Sequence, residues 1–333
     1  VRIGAIEKHP NADSLSITQI HGGYPVIFRT GEFNEGDLAV YIPIDALLPM
    51  GDARWDFLGK SSTPKTLDGR PYYRLKAAKL RGVFSMGLLV PVPSDLAAGG
   101  DVADLLGVLK YEPPEPMAMG GENERDPGFM PVYDVEGFRR WPSILIDDEE
   151  VVITEKIHGT NARYLWYSDR LWAASHHAYK HAPAAEIAET IWWRAARENN
   201  LAEKLRELPG IGFYGEVYGY VQSLHYGVVR QGGLRLAFFD AWDVAAKRWL
   251  GFDEFIALTS QVGLPLVPVL YQGPWHPDLV SLAEGPSRVL SAMHVREGLV
   301  VKPCVERSVL PPDGPGRVIL KMHGEGYLTR KGG

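Results

Sequence analysis

The sequence holds one cysteine, Cys304, in 333 residues. A single thiol excludes an internal disulfide and a cysteine-rich zinc site. No apolar run reaches the roughly 18 residues that a membrane helix needs. The opening residues, VRIGAIEKHP, lack the apolar stretch and cleavage site of a secretory signal. A cytoplasmic protein with no membrane span is therefore expected. Positive charge is scarce as well: 35 Lys and Arg face 41 Asp and Glu, for a net charge of −6. That balance argues against coating nucleic acid nonspecifically, and leaves room for a local basic groove. Apolar residues at 45% and charged residues at 23% exclude a disordered chain and a coiled coil. At roughly 100–200 residues per domain, the length implies about two domains.

The charge is unevenly spread. Residues 1–149 carry 15 basic and 22 acidic side chains, whereas residues 150–333 carry 20 and 19. Much of the excess lies in 101–149, which holds 12 acids, 4 bases, PPEP at 113–116 and GGENERDPG at 120–128. That stretch reads as an acidic linker of long loops. Ahead of it, residues 1–100 read as short strands punctuated by Gly, Pro, Asn and Asp: IGAIEKH, LSITQIHG, YPVIFRTG, LAVYIPI and GLLVPVP. Such spacing marks a small barrel or sandwich. After it, residues 150–333 alternate again in VVITEKI, ARYLWYS, IGFYGEVYG, LRLAFFDAW, GLVVKP and RVILKMH. A helix is expected from Pro183 to Leu208, with apolar steps at Ile187, Ile191, Ala195, Leu201, Leu205 and Leu208 and a stop at Pro209–Gly210. Further helices are expected over 253–262 and near 278–293. Strands and helices segregate, so the class is α+β.

One local basic segment stands out. Residues 70–81, RPYYRLKAAKLR, carry Arg70, Arg74, Lys76, Lys79 and Arg81 with Tyr72 and Tyr73 interleaved and no acid. The mixture suits phosphates and stacked bases. A solvated strand edge guarded by Lys and Arg fits it equally. Two phosphate-loop patterns fail on context. Gly210, Gly212 and Gly215 spell GxGxxG, but they follow a helix-like stretch and enter a strand-like one, the reverse of a dinucleotide fingerprint. Gly59-Lys60-Ser61 resembles the end of a P-loop, yet Arg54 stands where its first glycine belongs. His176, His177 and His181 have no HExxH frame or nearby acidic partner, and read as facing solvent or RNA rather than a metal.

The informative segment is Glu155-Lys156-Ile157-His158-Gly159-Thr160-Asn161, where a lysine ends an apolar strand and a polar, Gly-containing turn follows. A lysine with an unperturbed pKa of about 10.4 is only about 0.1% neutral near pH 7.5. Burial disfavours the ammonium form, and a drop of roughly 3 units would leave a nucleophilic amine able to attack a phosphoryl group. A lysine in a surface salt bridge fits the same frame. The residues by themselves leave both readings open.

KIHGTN resembles motif I of the covalent nucleotidyltransferases, the superfamily of ATP-dependent DNA and RNA ligases and mRNA capping enzymes. With His where DNA ligases usually carry Asp, it is similar to RNA ligases of the phage and kinetoplastid editing type. Four more motifs follow in order: FYGEVYG at 213–219 with Glu216, AFFDAW at 237–242 with Phe239 and Asp240, REGLVVKP at 296–303 with Glu297 and Lys302, and VILKMH at 318–323 with Lys321. HPNADSL at 9–15 and KLRGVFSMGLLV at 79–90 are similar to tRNA-binding OB-fold domains. An OB module ahead of a ligase domain resembles the Deinococcus-type RNA ligases. DNA ligases and capping enzymes carry an OB domain after motif V, and ten residues follow His323 here, too few for one. The implied layout is an OB-fold barrel over 1–100, the linker over 101–149, and an adenylation domain of antiparallel sheets flanked by helices over 150–333.

The resemblance implies roles residue by residue. Lys156 attacks the α-phosphate of ATP to form lysyl–AMP, which passes to the 5′-phosphate of a nucleic-acid strand. A neighbouring 3′-OH then displaces AMP. His158 and Asn161 serve the nucleic-acid steps. Glu155, Glu216, Phe239, Lys302 and Lys321 bind the nucleotide, with Glu216 on the ribose, Phe239 on adenine and the lysines on phosphates. Glu297 holds Mg²⁺ or Mn²⁺, a hard cation suited to oxygen ligands. Arg74, Lys76, Lys79, Arg81 and His176 are candidate nucleic-acid contacts. Two departures from the pattern stand out: His323 replaces a second motif V lysine, and Ser175-His176-His177 replaces an arginine about twenty residues after Lys156. Arg163, Arg170 or His176 is then left to supply that contact. The expected partner is RNA, as a nicked duplex with 3′-OH and 5′-phosphate ends, and the expected state is a monomer. A noncatalytic OB-type RNA- or tRNA-binding protein, and a DNA ligase or capping guanylyltransferase, are the alternatives.

Overall fold

A computed structural model describes the chain except for residue 22 and residues 61–63, 94–95, 112–122, 185–188, 230, 312 and 331–333. The side chain of Lys60 is likewise outside the described part. The GKS pattern at 59–61, PPEP and Ile187 therefore fall partly or wholly outside it. The chain forms two compact units. Residues 1–114, 139–142 and 328–332 make the first, and 115–138 with 143–327 make most of the second. The stretch 101–149 contributes to both: Ala103–Leu106 and Leu109–Lys110 lie in the first, and Asn123–Glu124 and Glu136–Gly137 in the second.

The first unit is made of short strands. Ile6–Lys8, Leu15–Ile20 and Tyr24–Arg29 form an antiparallel meander. Ala39–Pro43 pairs with Gly87–Pro91. Ala46–Pro49 pairs with Arg70–Arg74, which pairs in turn with Pro64–Leu67. Alternation sends Ile20, Val26, Phe28 and Leu89 into one core, while Ile42, Leu48, Trp55 and Tyr73 fill a second. The five strand-like runs read from 1–100 all carry strands. The additional strands Pro64–Leu67 and Ala78–Leu80 escape sequence reading because lysine and proline, typical of sheet edges, mask their alternation. The two OB-like segments meet in space. His9 Nε2 lies 3.0 Å from the Leu80 carbonyl, and Asn11 Nδ2 donates to the Arg81 carbonyl at 3.0 Å. HPNADSL thus holds the 78–85 hairpin.

The second unit has two sheets. A seven-stranded antiparallel sheet runs Asn123–Glu124, Tyr179–Lys180, Arg170–Ala174, Thr160–Tyr167, Ile211–Gly219, Leu234–Asp243 and Arg248–Trp249. A five-stranded sheet runs Glu136–Gly137, Leu320–His323, Gly298–Pro303, Glu150–Lys156 and Val269–Pro274, with only its first pair parallel. Helices Ile191–Glu198, Leu201–Arg206 and Phe252–Gln261 pack on the larger sheet around Trp192, Leu201, Phe213, Phe238 and Phe255, all nearly sealed from solvent.

Two helix expectations need correction. The helix expected from Pro183 begins only at Ile191, where the Thr190 hydroxyl accepts the Trp193 amide at 3.4 Å. It then breaks at Asn200, whose φ of 54° lies in the left-handed region. Near 278–293 only the 3₁₀ turn Pro277–Ala283 forms. The GxGxxG glycines lie in and beside the strand Ile211–Gly219, as their context implied. A Cβ on Gly212 would meet Met130 at 2.7 Å, and one on Gly215 would meet the Ala237 carbonyl at 2.7 Å. Close packing, not phosphate, requires glycine there.

Candidate active site

Strand register assembles the site. Lys156 ends its strand opposite Gly298, and His323 faces Gly298 from the other side. This brings Lys156, Glu297 and His323 to one end of the five-stranded sheet. In the larger sheet Asn161 stands opposite Glu216. Between the two sheets lies a cavity of about 250 Å³. Lys156, Asn161, Glu216, Phe239, Lys321 and His176 all line it, alongside apolar side chains such as Val152, Leu266 and Ile319. On the five-stranded sheet Val152, Thr154 and Lys156, and Val300 and Lys302, line the cavity from alternate positions, and Glu155 joins them beside the strand end. Gly159 lets the motif I turn press onto the neighbouring strand, because a Cβ there would overlap the Val217 carbonyl oxygen.

Lys156 Nζ donates to Glu297 Oε1 at 2.9 Å. Desolvation pulls the lysine pKa down, but Glu297 and Glu216 together outweigh it, so the ammonium form is favoured beyond the ordinary value. The expectation that burial alone would free the amine is therefore corrected: the facing carboxylates decide the sign. Glu297 is 4% exposed. Desolvation raises its pKa, yet Lys156, His158 and His323 hold it well below the usual carboxylate range. His323 Nε2 stands 3.4 Å from Oε1. Oε2 is buried with no hydrogen-bond partner, and His158 Nδ1 is 3.7 Å away. Glu216 behaves oppositely. Burial pushes it up to about 8, and Glu297 adds to the shift, while Lys156 and the Gly159 amide oppose it.

Lys321 has no hydrogen-bond or ion-pair partner among the described residues. Burial and the nearby Lys156 lower its pKa. An unpaired half-buried ammonium at a cavity wall is a ready anion contact. Asn161 Oδ1 is likewise buried and unpartnered. His158 is held by its main-chain N–H, which donates to the Tyr226 hydroxyl at 2.6 Å. Phe239 sits beside the fully buried Phe238 at a bulge in the strand pairing. Phe238 packs on Tyr164 and Phe213, and Phe239 is left partly exposed at the cavity wall.

Behind Phe239 lies a buried ionic cluster. Asp240 is fully buried and accepts from Lys302 Nζ at 2.9 Å, Arg317 Nη1 at 2.6 Å and the Tyr133 hydroxyl at 2.8 Å. Glu306 takes a second bond from each cation. Desolvation raises the Asp240 pKa, but Lys302 and Arg317 win and hold it down to about 2. Lys302 borders the cavity, yet its ammonium is committed to these two carboxylates. The expectation of a free phosphate contact there is corrected on that ground.

Other candidates are engaged in contacts of their own, although Glu155 also lines the cavity. The Glu155 carboxylate accepts from the Ser287 hydroxyl at 2.5 Å and the Arg288 amide at 2.6 Å, and so anchors that loop. Arg163 is buried and donates to the carbonyls of Ser175, Met130 and His176. Arg170 pairs with Glu124 and stacks on Trp172. Of the three candidates for the missing arginine contact, only His176 reaches the cavity. In the first unit Tyr72 and Tyr73 are buried, so neither presents a ring to a base. Arg74 pairs with Asp45 at 2.8 Å and lies over Tyr111. Lys76, Lys79 and Arg81 remain exposed. Sequence reading missed Tyr133, Tyr226, Arg317 and Tyr327, which stand outside any recognisable motif.

An OB-fold unit followed by two sheets that clasp a lysine-bearing cavity defines a protein of the nucleotidyltransferase fold. The model of the RNA ligase family matches residues 149–323, and an OB-fold domain model matches residues 1–92. The chain belongs to the RNA ligase family. No curated protein sequence matches it significantly. Among solved structures it is similar to Naegleria gruberi RNA ligase with pyrophosphate, at 26% identity and a TM-score of 0.81 over 98% of this chain and 96% of that one. Variants of the same ligase with ATP and Mn, and with AMP and Mn, match at 25% identity and a TM-score of 0.81, again over 98% and 96%.

Two expectations follow from the electrostatics. Asp240→Asn leaves two buried cations facing only Glu306, and is expected to cost about 3–5 kcal/mol, read from urea unfolding at pH 7. For Glu216 the folded pKa exceeds the unfolded value, so its contribution is full below about pH 4.3 and is lost as pH rises toward 8. The thermal midpoint of Glu216→Gln should match wild type near pH 4 and exceed it at pH 8. A wild-type advantage at pH 8 would contradict the assignment.

Proposed function

We propose that the protein is an ATP-dependent RNA ligase that seals a 3′-OH to a 5′-phosphate through a lysyl–AMP intermediate. What carries this reading is one juxtaposition. Lys156 and Lys321 line one cavity; Lys156 is tied to the carboxylate of Glu297, whose other oxygen is buried without a partner, and among the described residues nothing hydrogen-bonds the Lys321 ammonium. A core packing site has no use for two unsatisfied polar groups of opposite charge. A substrate that brings both phosphate oxygens and a cation satisfies them together.

Lys156 loses its proton and attacks the α-phosphorus, forming a P–N bond as the bond to pyrophosphate breaks. The pair of Lys156 with Glu297 must open for this. The apolar walls and the partly exposed Phe239 ring receive the base, Glu216 takes a ribose hydroxyl, and Lys321 meets the phosphate charge. Asn161 offers its amide to the same group. The chemistry of the donors fits a hard divalent cation, since Glu297 supplies one oxygen and phosphates and water supply the rest. Among the described residues no cluster of three His, Cys, Asp or Glu stands ready to hold a cation alone. When bound, Mg²⁺ or Mn²⁺ would neutralise charge developing on the phosphate. The AMP then moves to the 5′-phosphate of the RNA, His158 orients that end, and the 3′-OH displaces AMP. Lys76, Lys79 and Arg81, exposed on the first unit, suit contacts to the phosphate backbone of a nicked duplex. A monomer is sufficient for this scheme.

Incubation with α-labelled ATP and a divalent cation, followed by a denaturing gel, tests the reading. Lys156→Ala should take no label and keep its fold. His158→Ala should take label and join RNA ends poorly. Label retained by Lys156→Ala would sink the assignment, and label from GTP alone would turn it toward capping chemistry.

A further inference from the structure

His158 is gripped on both edges of its ring by residues that lie outside the sequence motifs. Nε2 lies 3.3 Å from the Ser223 hydroxyl, and Nδ1 lies 3.1 Å from the Tyr327 hydroxyl. Tyr327 belongs to the short helix Glu325–Leu328. The Glu284 carboxylate accepts the amides of Glu325 and Gly326, and the Gly324 amide donates to the Glu297 carbonyl at 3.0 Å. The turn is thus fastened to the residue that faces Lys156. The Tyr327 ring, 8% exposed, stacks on His323 with an interplanar angle of 16°. Its hydroxyl is the one polar atom of the side chain, and buried phenols are placed where they have a partner.

The placement matters because His158 has a competing partner. Its Nδ1 is 3.7 Å from Glu297 Oε2, the buried oxygen that has no hydrogen bond. A small turn of the imidazole would close that gap. We propose that Tyr327 is a positioning residue: its hydroxyl holds His158 Nδ1 away from Glu297, leaving Oε2 open and the ring fixed between Tyr327 and Ser223. The inference rests on the ligase reading above and assigns to that reaction a residue from the last turn of the second unit.

Joining of ready-made 5′-adenylated RNA to a 3′-OH strand, which bypasses Lys156, gives the test. Tyr327→Phe keeps the ring on His323 and removes only the hydroxyl. Loss of one orienting hydrogen bond is expected to slow joining about tenfold. In a double-mutant cycle with His158→Ala that loss should vanish, because no side chain remains to be held. The same loss in the His158→Ala background would mark a merely structural role and overturn the proposal. So would unchanged joining by Tyr327→Phe. Imidazole nitrogen resonances supply a second readout that does not depend on activity: the His158 Nδ1 signal, identified with His158→Ala, should move in Tyr327→Phe, and a fixed signal refutes the contact. If the wild-type protein joins no RNA at all, the ligase reading fails and the proposal falls with it.

Discussion

The bond between Lys156 and Glu297 is the interaction on which the site depends. It joins the ends of two adjacent strands at 2.9 Å, with Lys156 on the cavity wall. Two buried charges cost several kcal/mol to desolvate, and an excellent geometry offsets that cost only in part. The pair therefore sits at a place of low net stability and high chemical readiness. It keeps the lysine protonated until something competes for the carboxylate. The same carboxylate keeps a second oxygen unpartnered, so a competitor has a place to bind.

The surrounding charges grade from this pair outward. Burial pushes the Glu216 carboxyl up to about 8, and the Glu297 carboxylate adds to the shift while Lys156 opposes it. Lys321 adds a positive charge whose ammonium has no hydrogen-bonded carboxylate among the described residues, although Asp134, Glu136 and Glu297 lie near enough to act on it. A pocket that is short of negative charge attracts phosphate. Deeper in, Asp240, Lys302, Glu306 and Arg317 cancel one another, and this cluster fixes the strand that presents Phe239.

Much of this was legible in the sequence, because strand alternation and motif order carry information directly. The frame around Lys156, a small front barrel or sandwich and the α+β class follow from local patterns, whereas Glu216, Phe239, Glu297, Lys321 and the OB-fold front came from the resemblance to the ligase family. Partnerships did not. Lys302 occupies a phosphate-binding motif position, yet Asp240 from another strand and Glu306 from the loop just after it occupy its ammonium. Glu155 precedes the lysine but serves the 287–288 loop. Tyr72 and Tyr73 look like stacking residues and are buried core. The sign of the Lys156 shift depended on two carboxylates, Glu216 and Glu297, distant in the sequence and brought close by the fold. Tyr327 and Tyr226 have no sequence signature, since each acts through one hydroxyl set by the tertiary fold.

The central claim is that Lys156 is the nucleophile and that its ion pair with Glu297 must open for it to act. Intact-mass and peptide mass spectrometry of the protein after incubation with ATP, with and without Mn²⁺, tests this most directly. The account predicts a gain of one AMP, acid-labile, on the peptide that contains Lys156, and only with the cation present. An adduct on another residue, or the same adduct formed fully without a cation, would contradict it.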